Sequence, residues 1–378
     1  MMQRRALLRR SAALAGMAGM AGIGARAEDF DDPDRMYEAL VAMPKLRLTP
    51  KGGAIDLVFS PEVPAAQRPA IIDWVQLSAA ALVQYFGQFP VEHLGLLVTS
   101  GPGRRVGHGT SYGYAGPAIR VNVGRETDRD AFLADWVLVH EMVHLSFPTL
   151  PRRHLWIEEG GATYVEPVAR VQAGHLSAAS VWQQWRRGLP QGLPQAGDEG
   201  LDNTHTWGRT YWGGALFCLL ADVAILQRTN RQRGLQDALR AIRAASGGNA
   251  ARWSIDRALR VGDEAVGSPV LSDQYRDMRQ QAVSPDLGAL FAQLGARSAA
   301  DAFDESAPLA RHPPRHHGAT RRLTGTPTSN TAAPLIPCGA GWRVPWWRTR
   351  SGNTMGACSV ASSVIWPGRW CTECVATQ

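Results

Sequence analysis

The sequence predicts an α+β domain. Its three strand-like runs, Ala54–Ser60, Val91–Ser100 and Ala118–Val123, all fall in the first third of the chain. Every later periodic segment has apolar residues at helical spacing, and no βαβ alternation is visible. With 378 residues and 45% of them hydrophobic, the chain can bury a sizeable core and is too apolar for a disordered protein.

The first element is a leader. Met1–Arg10 is short and cationic, with Arg4-Arg5; Ser11–Ala25 is an uncharged Ala/Gly/Met stretch; Ala25-Arg26-Ala27 offers a small-x-small cleavage pattern. Residues 1–27 thus resemble a twin-arginine signal peptide, which implies export to the periplasm or the cell exterior. The apolar stretch is shorter than the roughly 20 residues a membrane span needs, so no stable insertion of the mature chain is expected.

The body, residues 28–310, follows. Ala54–Ser60 reads as a strand and Ala65–Phe86 as a helix. Val91–Ser100 and Ala118–Val123 read as strands joined by a Gly-rich turn region, Gly101–Gly116. Long helices are predicted over Thr127–Phe147, Leu155–Ala173 and Trp207–Gln227, the first opened by a Thr127/Asp130 capping pair. Shorter ones follow over Leu235–Ala245, Ser254–Val266, Asp273–Ala282 and Pro285–Leu294, the last with Ser284 as N-cap and Pro285 at the first helical position. Cys218 lies in an apolar helical run and reads as a core residue.

Charge separates the body from both ends. The formal net charge is +7, yet residues 1–27 hold five Arg and no acid, and residues 311–378 hold eight Arg and one Glu. The part between has 27 basic against 32 acidic residues, so the basic character does not support a nucleic-acid partner. Residues 311–378 also hold five of the 13 Trp and four of the five Cys, with neither helical nor strand periodicity. Cys371 and Cys374 form a CxxC, but Cys338 and Cys358 form no second pair, as a zinc ribbon would need. The segment reads as a low-complexity tail, disordered or translated out of frame.

The chemistry concentrates on the Thr127 helix. Leu133, Trp136, Val137 and Val143 make an apolar stripe, and His140 and His144 fall on it. Four residues are about 400° of turn and about 6 Å of rise, so both imidazoles leave one face and can share a tetrahedral zinc. Glu141 points about 100° away, where it can take a proton from a water activated at that metal. His140-Glu141-Met142-Val143-His144 is an HExxH pattern, which chance would give with a probability of about one per cent at this composition. Zinc then still lacks a protein ligand, expected as a carboxylate or His from the next helix after the turn Phe147–Pro151.

That next helix reads Trp156-Ile157-Glu158-Glu159-Gly160-Gly161-Ala162-Thr163-Tyr164. Here the chain resembles the gluzincins, zinc peptidases related to aminopeptidase N and the glycyl aminopeptidases. The resemblance implies a gluzincin- or thermolysin-like catalytic domain binding one zinc ion, Zn2+, through His140, His144 and Glu159, with Glu158 the less favoured choice. It implies a small strand-containing lobe, about residues 28–148, and a mainly helical lobe, about 149–310, with zinc in the cleft between. The His144–Glu159 spacing is shorter than is common in aminopeptidase N relatives and points to the glycyl-aminopeptidase-like or minor branches. Thr163 could support a ligand or be a plain helix-surface residue. Tyr211-Trp212-Gly213-Gly214-Ala215-Leu216 is similar to the segment whose Tyr donates a hydrogen bond to the tetrahedral intermediate, with Gly213 in place of the family's Lys. Tyr112, Tyr114 and Tyr164 are the competitors for that role.

The resemblance implies hydrolysis of a peptide or protein substrate, with Glu141 as general base and Tyr211 as a second catalytic group. The Gly107–Gly116 stretch and the Ala118–Val123 strand take the place of a substrate-binding edge. No acidic residue lies between Gly101 and Gly124 to bind a free amine, so N-terminal trimming is in doubt. The rivals are an inactive peptide-binding protein on the same fold and a zinc hydrolase acting on another bond. His108 could reach the cleft or be a bystander of the loop; His93, His154, His175 and His205 read as bystanders.

Overall fold

A computed structural model describes residues 30–296; the leader-like segment 1–27 and the segment 311–378 lie outside the described residues. The elements are α1 (Pro33–Ala42), β1 (Lys45–Leu48), β2 (Ala54–Phe59), α2 (Arg68–Phe86), β3 (His93–Gly101), β4 (Val106–Tyr112) and β5 (Ala118–Gly124). Then come α3 (Arg129–Ala134), α4 (Val137–His144), α5 (Leu155–Gln172), α6 (Ala178–Gly188), α7 (Gly214–Arg228), α8 (Leu235–Ser246), α9 (Ile255–Val266), α10 (Val270–Met278) and α11 (Leu287–Gln293). This is a mixed α/β domain in which α1 and α2 are interleaved with the five strands and the remaining helices follow β5.

The five strands form one sheet in the order β1-β2-β3-β5-β4. β2, β3 and β5 are parallel, and the outer strands β1 and β4 pair antiparallel. The β2–α2–β3 segment is therefore a βαβ crossover, contrary to the expectation that none exists. The 19-residue α2 is long enough for the return path that parallel strands require. One face of the central strands is apolar; the other carries Asp56, Thr99, Arg120 and Asn122 beside an apolar patch under α1. Leu94, Leu96, Val98, Ile119 and Val121 pack with Ile71, Val75 and Leu82 of α2 in the main core, which extends to Ala296. Val58, Leu97 and Ala118 face the other way, under Met36, Ala39 and Leu40 of α1.

Three further expectations change. The Gly101–Gly116 region contains strand β4, which makes β4 the edge of the sheet and places β5 inside it. Its register shifts between Val106 and Gly109, an irregularity typical of edges beside functional sites. The predicted Thr127–Phe147 helix is broken: Asp128, not Thr127, caps α3 through a 2.8 Å bond from the Ala131 N–H, and the chain is extended at Asp135. The Asp135 carboxylate accepts from the Val137 and Leu138 N–H groups, both at 3.1 Å, and from Trp74 Nε1 at 3.1 Å. Starting a fresh helix there satisfies two otherwise orphaned donors. Leu133, assigned to the buried stripe, is 48% exposed on the separate α3. Near the C-terminal end, Asp286 rather than Ser284 caps α11.

Residues Arg209–Gly213 form a π-helical turn that runs straight into α7. The combined segment, Arg209–Arg228, is long and apolar enough to cross a membrane, but 72% of its apolar window is buried inside the fold, packed on α5. Cys218 is buried there.

Candidate metal centre

All eight residues of α4 are buried. A helix with no solvent face needs a reason for its polar residues, and the reason is that α5 brings Glu159 to them. His140 Nε2 stands 3.2 Å from Glu159 Oε2, and His144 Nε2 stands 3.5 Å from the same oxygen, a charge contact rather than a hydrogen bond. The ligand atoms of His140, His144 and Glu159 all lie within 4.8 Å of one another. Two donors each about 2.1 Å from one tetrahedral ion are about 3.4 Å apart. The contacts to Glu159 thus have the span that a shared zinc requires.

The unsatisfied atoms point the same way. His144 Nε2, Glu159 Oε1 and Glu141 Oε2 are all buried without a hydrogen-bond partner. Each such group costs about 1–3 kcal/mol if nothing meets it. Two of them, on His144 and Glu159, belong to the group that could hold a cation, and two imidazoles with one carboxylate suit zinc.

Backbone contacts set this geometry. A Cβ at Gly160, next to Glu159, would lie 2.2 Å from Gly214 Cα, and one at Gly214 would lie 1.9 Å from the Trp156 carbonyl oxygen. The two glycines let α5 touch the start of α7, which carries the π-helical turn and Tyr211 onto Glu159. Burial first, then the Glu159 and Glu141 charges and a hydrogen bond to Glu159, push the Tyr211 phenol above its ordinary value, so it remains a donor. The buried Arg209–Asp198 pair, 2.7 Å apart, ties down the same turn.

On the other side, a Cβ at Gly109 of β4 would lie 2.5 Å from Glu141 Cγ. This glycine admits the Glu141 side chain between α4 and the sheet edge. Burial pushes Glu141 up to about 7, opposed by the His144 charge; Glu159 pushes the same way as burial, and the Ser111 hydroxyl and N–H favour the ionised form. Burial would raise Glu159 as well, but the charged His144 and the hydrogen bond from His140 hold it far below the usual carboxylate range. His140 is lowered, mainly by burial. Burial lowers His144, but Glu159 together with the Glu141 and Glu158 charges overcomes it and raises the imidazole to about 9.

The neighbouring candidates have other duties. Glu158 is half-buried, and its Oε1 accepts from the Leu150 N–H at 3.1 Å. The Thr163 hydroxyl donates to the Glu159 carbonyl of its own helix at 2.8 Å. Tyr164 donates to Asp222 at 2.5 Å and Tyr114 to Asp34 at 2.9 Å, while Tyr112 sits in the cluster under α1. His154 is no bystander. It is buried, bonded through Nδ1 to Asp202 at 2.9 Å, and Asp202 also accepts from Trp156 and Tyr275, anchoring the start of α5. Sequence reasoning missed Gly109 and Ser111, although Gly107, Gly109 and Ser111 alternate with bulkier residues at the period of a strand.

No protein-family model matches the chain, and no curated protein matches it. Solved structures do. An aminopeptidase N family protein from Idiomarina loihiensis is similar over 67% of this chain and 49% of its own, at 14% identity and a TM-score of 0.51. An M1 zinc metallopeptidase from Deinococcus radiodurans is similar over 65% and 52%, at 17% identity and a TM-score of 0.42. The chain spans about half the length of these structures. At such identities the likeness is one of fold, and the first comparison carries it: the described domain shares its fold with a protein of the aminopeptidase N family.

Proposed function

We propose that this protein is an exported zinc metallopeptidase that hydrolyses peptide bonds in a peptide or protein substrate. The observation that carries the reading is the buried Glu141, held by Gly109 and Ser111 of the sheet edge beside the His140, His144 and Glu159 group. A binding protein has no use for a buried carboxylate at that place.

His140, His144 and Glu159 would hold zinc, which would supply Lewis acidity towards a scissile carbonyl and an attacking water. Glu141 takes the proton from that water at its free Oε2 and returns it to the leaving nitrogen. Tyr211 donates a hydrogen bond that strengthens as negative charge develops on the carbonyl oxygen, which favours the transition state over the ground state. β4 is a sheet edge, and its backbone can pair with an extended peptide. In this reading the strand-bearing part, about 28–148, and the helical part, about 149–310, flank the cleft that holds the metal. The twin-arginine-like leader would place the activity outside the cytoplasm.

The test is cleavage of a mixed peptide library by the full zinc-loaded chain and by Glu141→Gln. Cleavage by the wild type alone is expected. Tight peptide binding with no cleavage by either would favour the rival, an inactive peptide-binding protein.

A further inference from the structure

We infer that Asn249 is a positioning residue, whose carboxamide fixes the end of the β4 edge against α4 and so sets where Ser111 meets Glu141. The inference rests on the hydrolytic reading above and adds to it a residue far from α4 in the chain.

Residues 247–253 form a strap between α8 and α9. Most of its bonds go to the turn that joins α4 to α5. The Asn249 N–H donates to the Leu145 carbonyl at 3.2 Å, one residue past His144. The Thr149 hydroxyl donates to the Asn249 carbonyl at 2.8 Å. The Thr149 N–H donates to the Ala251 carbonyl at 2.9 Å, and the Trp253 N–H to the Thr149 carbonyl at 3.1 Å. Gly248 permits this close approach: its φ is 110°, and a Cβ there would lie 2.6 Å from the Leu145 carbonyl oxygen.

One side chain of the strap reaches the sheet. Asn249 Nδ2 donates to the Tyr112 carbonyl at 3.0 Å, next to Ser111, whose hydroxyl and N–H both bond Glu141. The strap also presses on the residue after β4, since a Cβ at Gly113 would lie 2.4 Å from the Asn249 carbonyl oxygen. A single residue therefore grips the end of α4 with its backbone and the end of β4 with its side chain. Stability alone is a poor reason for an amide here. Asn249 is 7% exposed, and its Oδ1 is buried without a hydrogen-bond partner. A half-satisfied polar group in a low-dielectric place is worse for stability than an apolar one. What the amide supplies is a directed donor, and the direction sets a position.

The experiment measures zinc per chain, melting temperature and kinetics on the full chain and on Asn249→Asp, Asn249→Ala, Ser111→Ala and the Asn249→Ala/Ser111→Ala double variant. The substrate is the best-cleaved peptide of a mixed library. Asp keeps the shape of Asn but, ionised, has no donor; Ala also removes volume. Misplacing a catalytic group by about an ångström can cost about 100-fold, so both Asn249 variants should keep zinc and lose roughly 10- to 100-fold in kcat per zinc-loaded chain. Both residues act on Glu141, so the double variant should be at least about threefold more active than the product of the single losses predicts. Asn249→Asp/Ser111→Ala serves the same cycle if Asn249→Ala does not fold. Losses that simply multiply, or a lower melting temperature with kcat within about twofold of the wild type, would make Asn249 a structural contact and overturn the inference. Amide hydrogen exchange separates the clamp from the peptidase reading. β4 should exchange faster in Asn249→Asp, with β2 and β3 unchanged. That result with no cleavage by the wild type would sustain the clamp and sink the peptidase reading. Unchanged exchange in β4 would sink the clamp.

Discussion

Two glycine contacts close the candidate site from opposite sides, and they differ in what they press against. On the sheet side, Gly109 of β4 faces the Cγ of Glu141, a side-chain atom that can shift. On the helix side, Gly160 and Gly214 bring main chain against main chain, with Gly214 close to the Trp156 carbonyl oxygen. A side chain can rotate away from an added methyl group; two packed helices cannot. The sheet side therefore adjusts the placement of Glu141, whereas the helix side builds the frame that holds Glu159 and Tyr211.

The largest expected effect lies on the helix side. Gly214→Ala must force α5 from the π-helical turn, at or above the ~3 kcal/mol upper end of ordinary overpacking. Thermal unfolding and metal analysis should show a strongly destabilised protein with reduced zinc, and a variant that melts and binds zinc normally would break the distinction. Tyr211→Phe lies on the same side but touches only the chemistry. Turnover should fall roughly 100- to 1,000-fold, with zinc retained and KM little altered. On the sheet side, Gly109→Ala should keep the fold and the zinc while kcat drops about 100-fold, because Glu141 is displaced by the order of an ångström. Equal loss of zinc in Gly109→Ala and Gly214→Ala would erase the comparison.

The smallest effect concerns the α3–α4 break behind both sides. Burial pushes Asp135 up to about 6, against the backbone N–H donors of Leu138 and Val137. A carboxyl raised in the folded state binds its proton there more tightly than in the unfolded chain. Its contribution is therefore most favourable below the unfolded pKa and is lost as pH rises through about 6. The melting temperature of the wild type relative to Asp135→Asn should accordingly decline between about pH 4 and pH 6, and a flat difference would remove Asp135 from the balance.

Sequence periodicity shows what is local and hides what is not. The four-residue spacing of His140 and His144 fixes a shared helix face whatever surrounds it, and the Leu155 helix was legible from its apolar pattern. The Asp135 break was hidden because it depends on Trp74, a contact from α2. β4 was hidden because Gly107, His108, Gly109 and Ser111 have weak strand preference; their strand exists through pairing with β5 and through the need to admit Glu141. The meeting of Gly160 with Gly214, residues far apart in the chain, leaves no local signal at all. Nor does the crossover from β2 through α2 to β3, which only strand pairing reveals.

The central claim is that His140, His144 and Glu159 hold one zinc ion and that Glu141 stands beside it as proton acceptor. Zinc per chain, measured on the purified wild type and on His140→Ala, His144→Ala, Glu159→Ala, Glu158→Ala and Glu141→Gln, tests it most directly. The account predicts one equivalent in the wild type and Glu141→Gln, little change in Glu158→Ala, and loss in the other three. Normal zinc in Glu159→Ala together with loss in Glu158→Ala, or no zinc in the wild type, would contradict it.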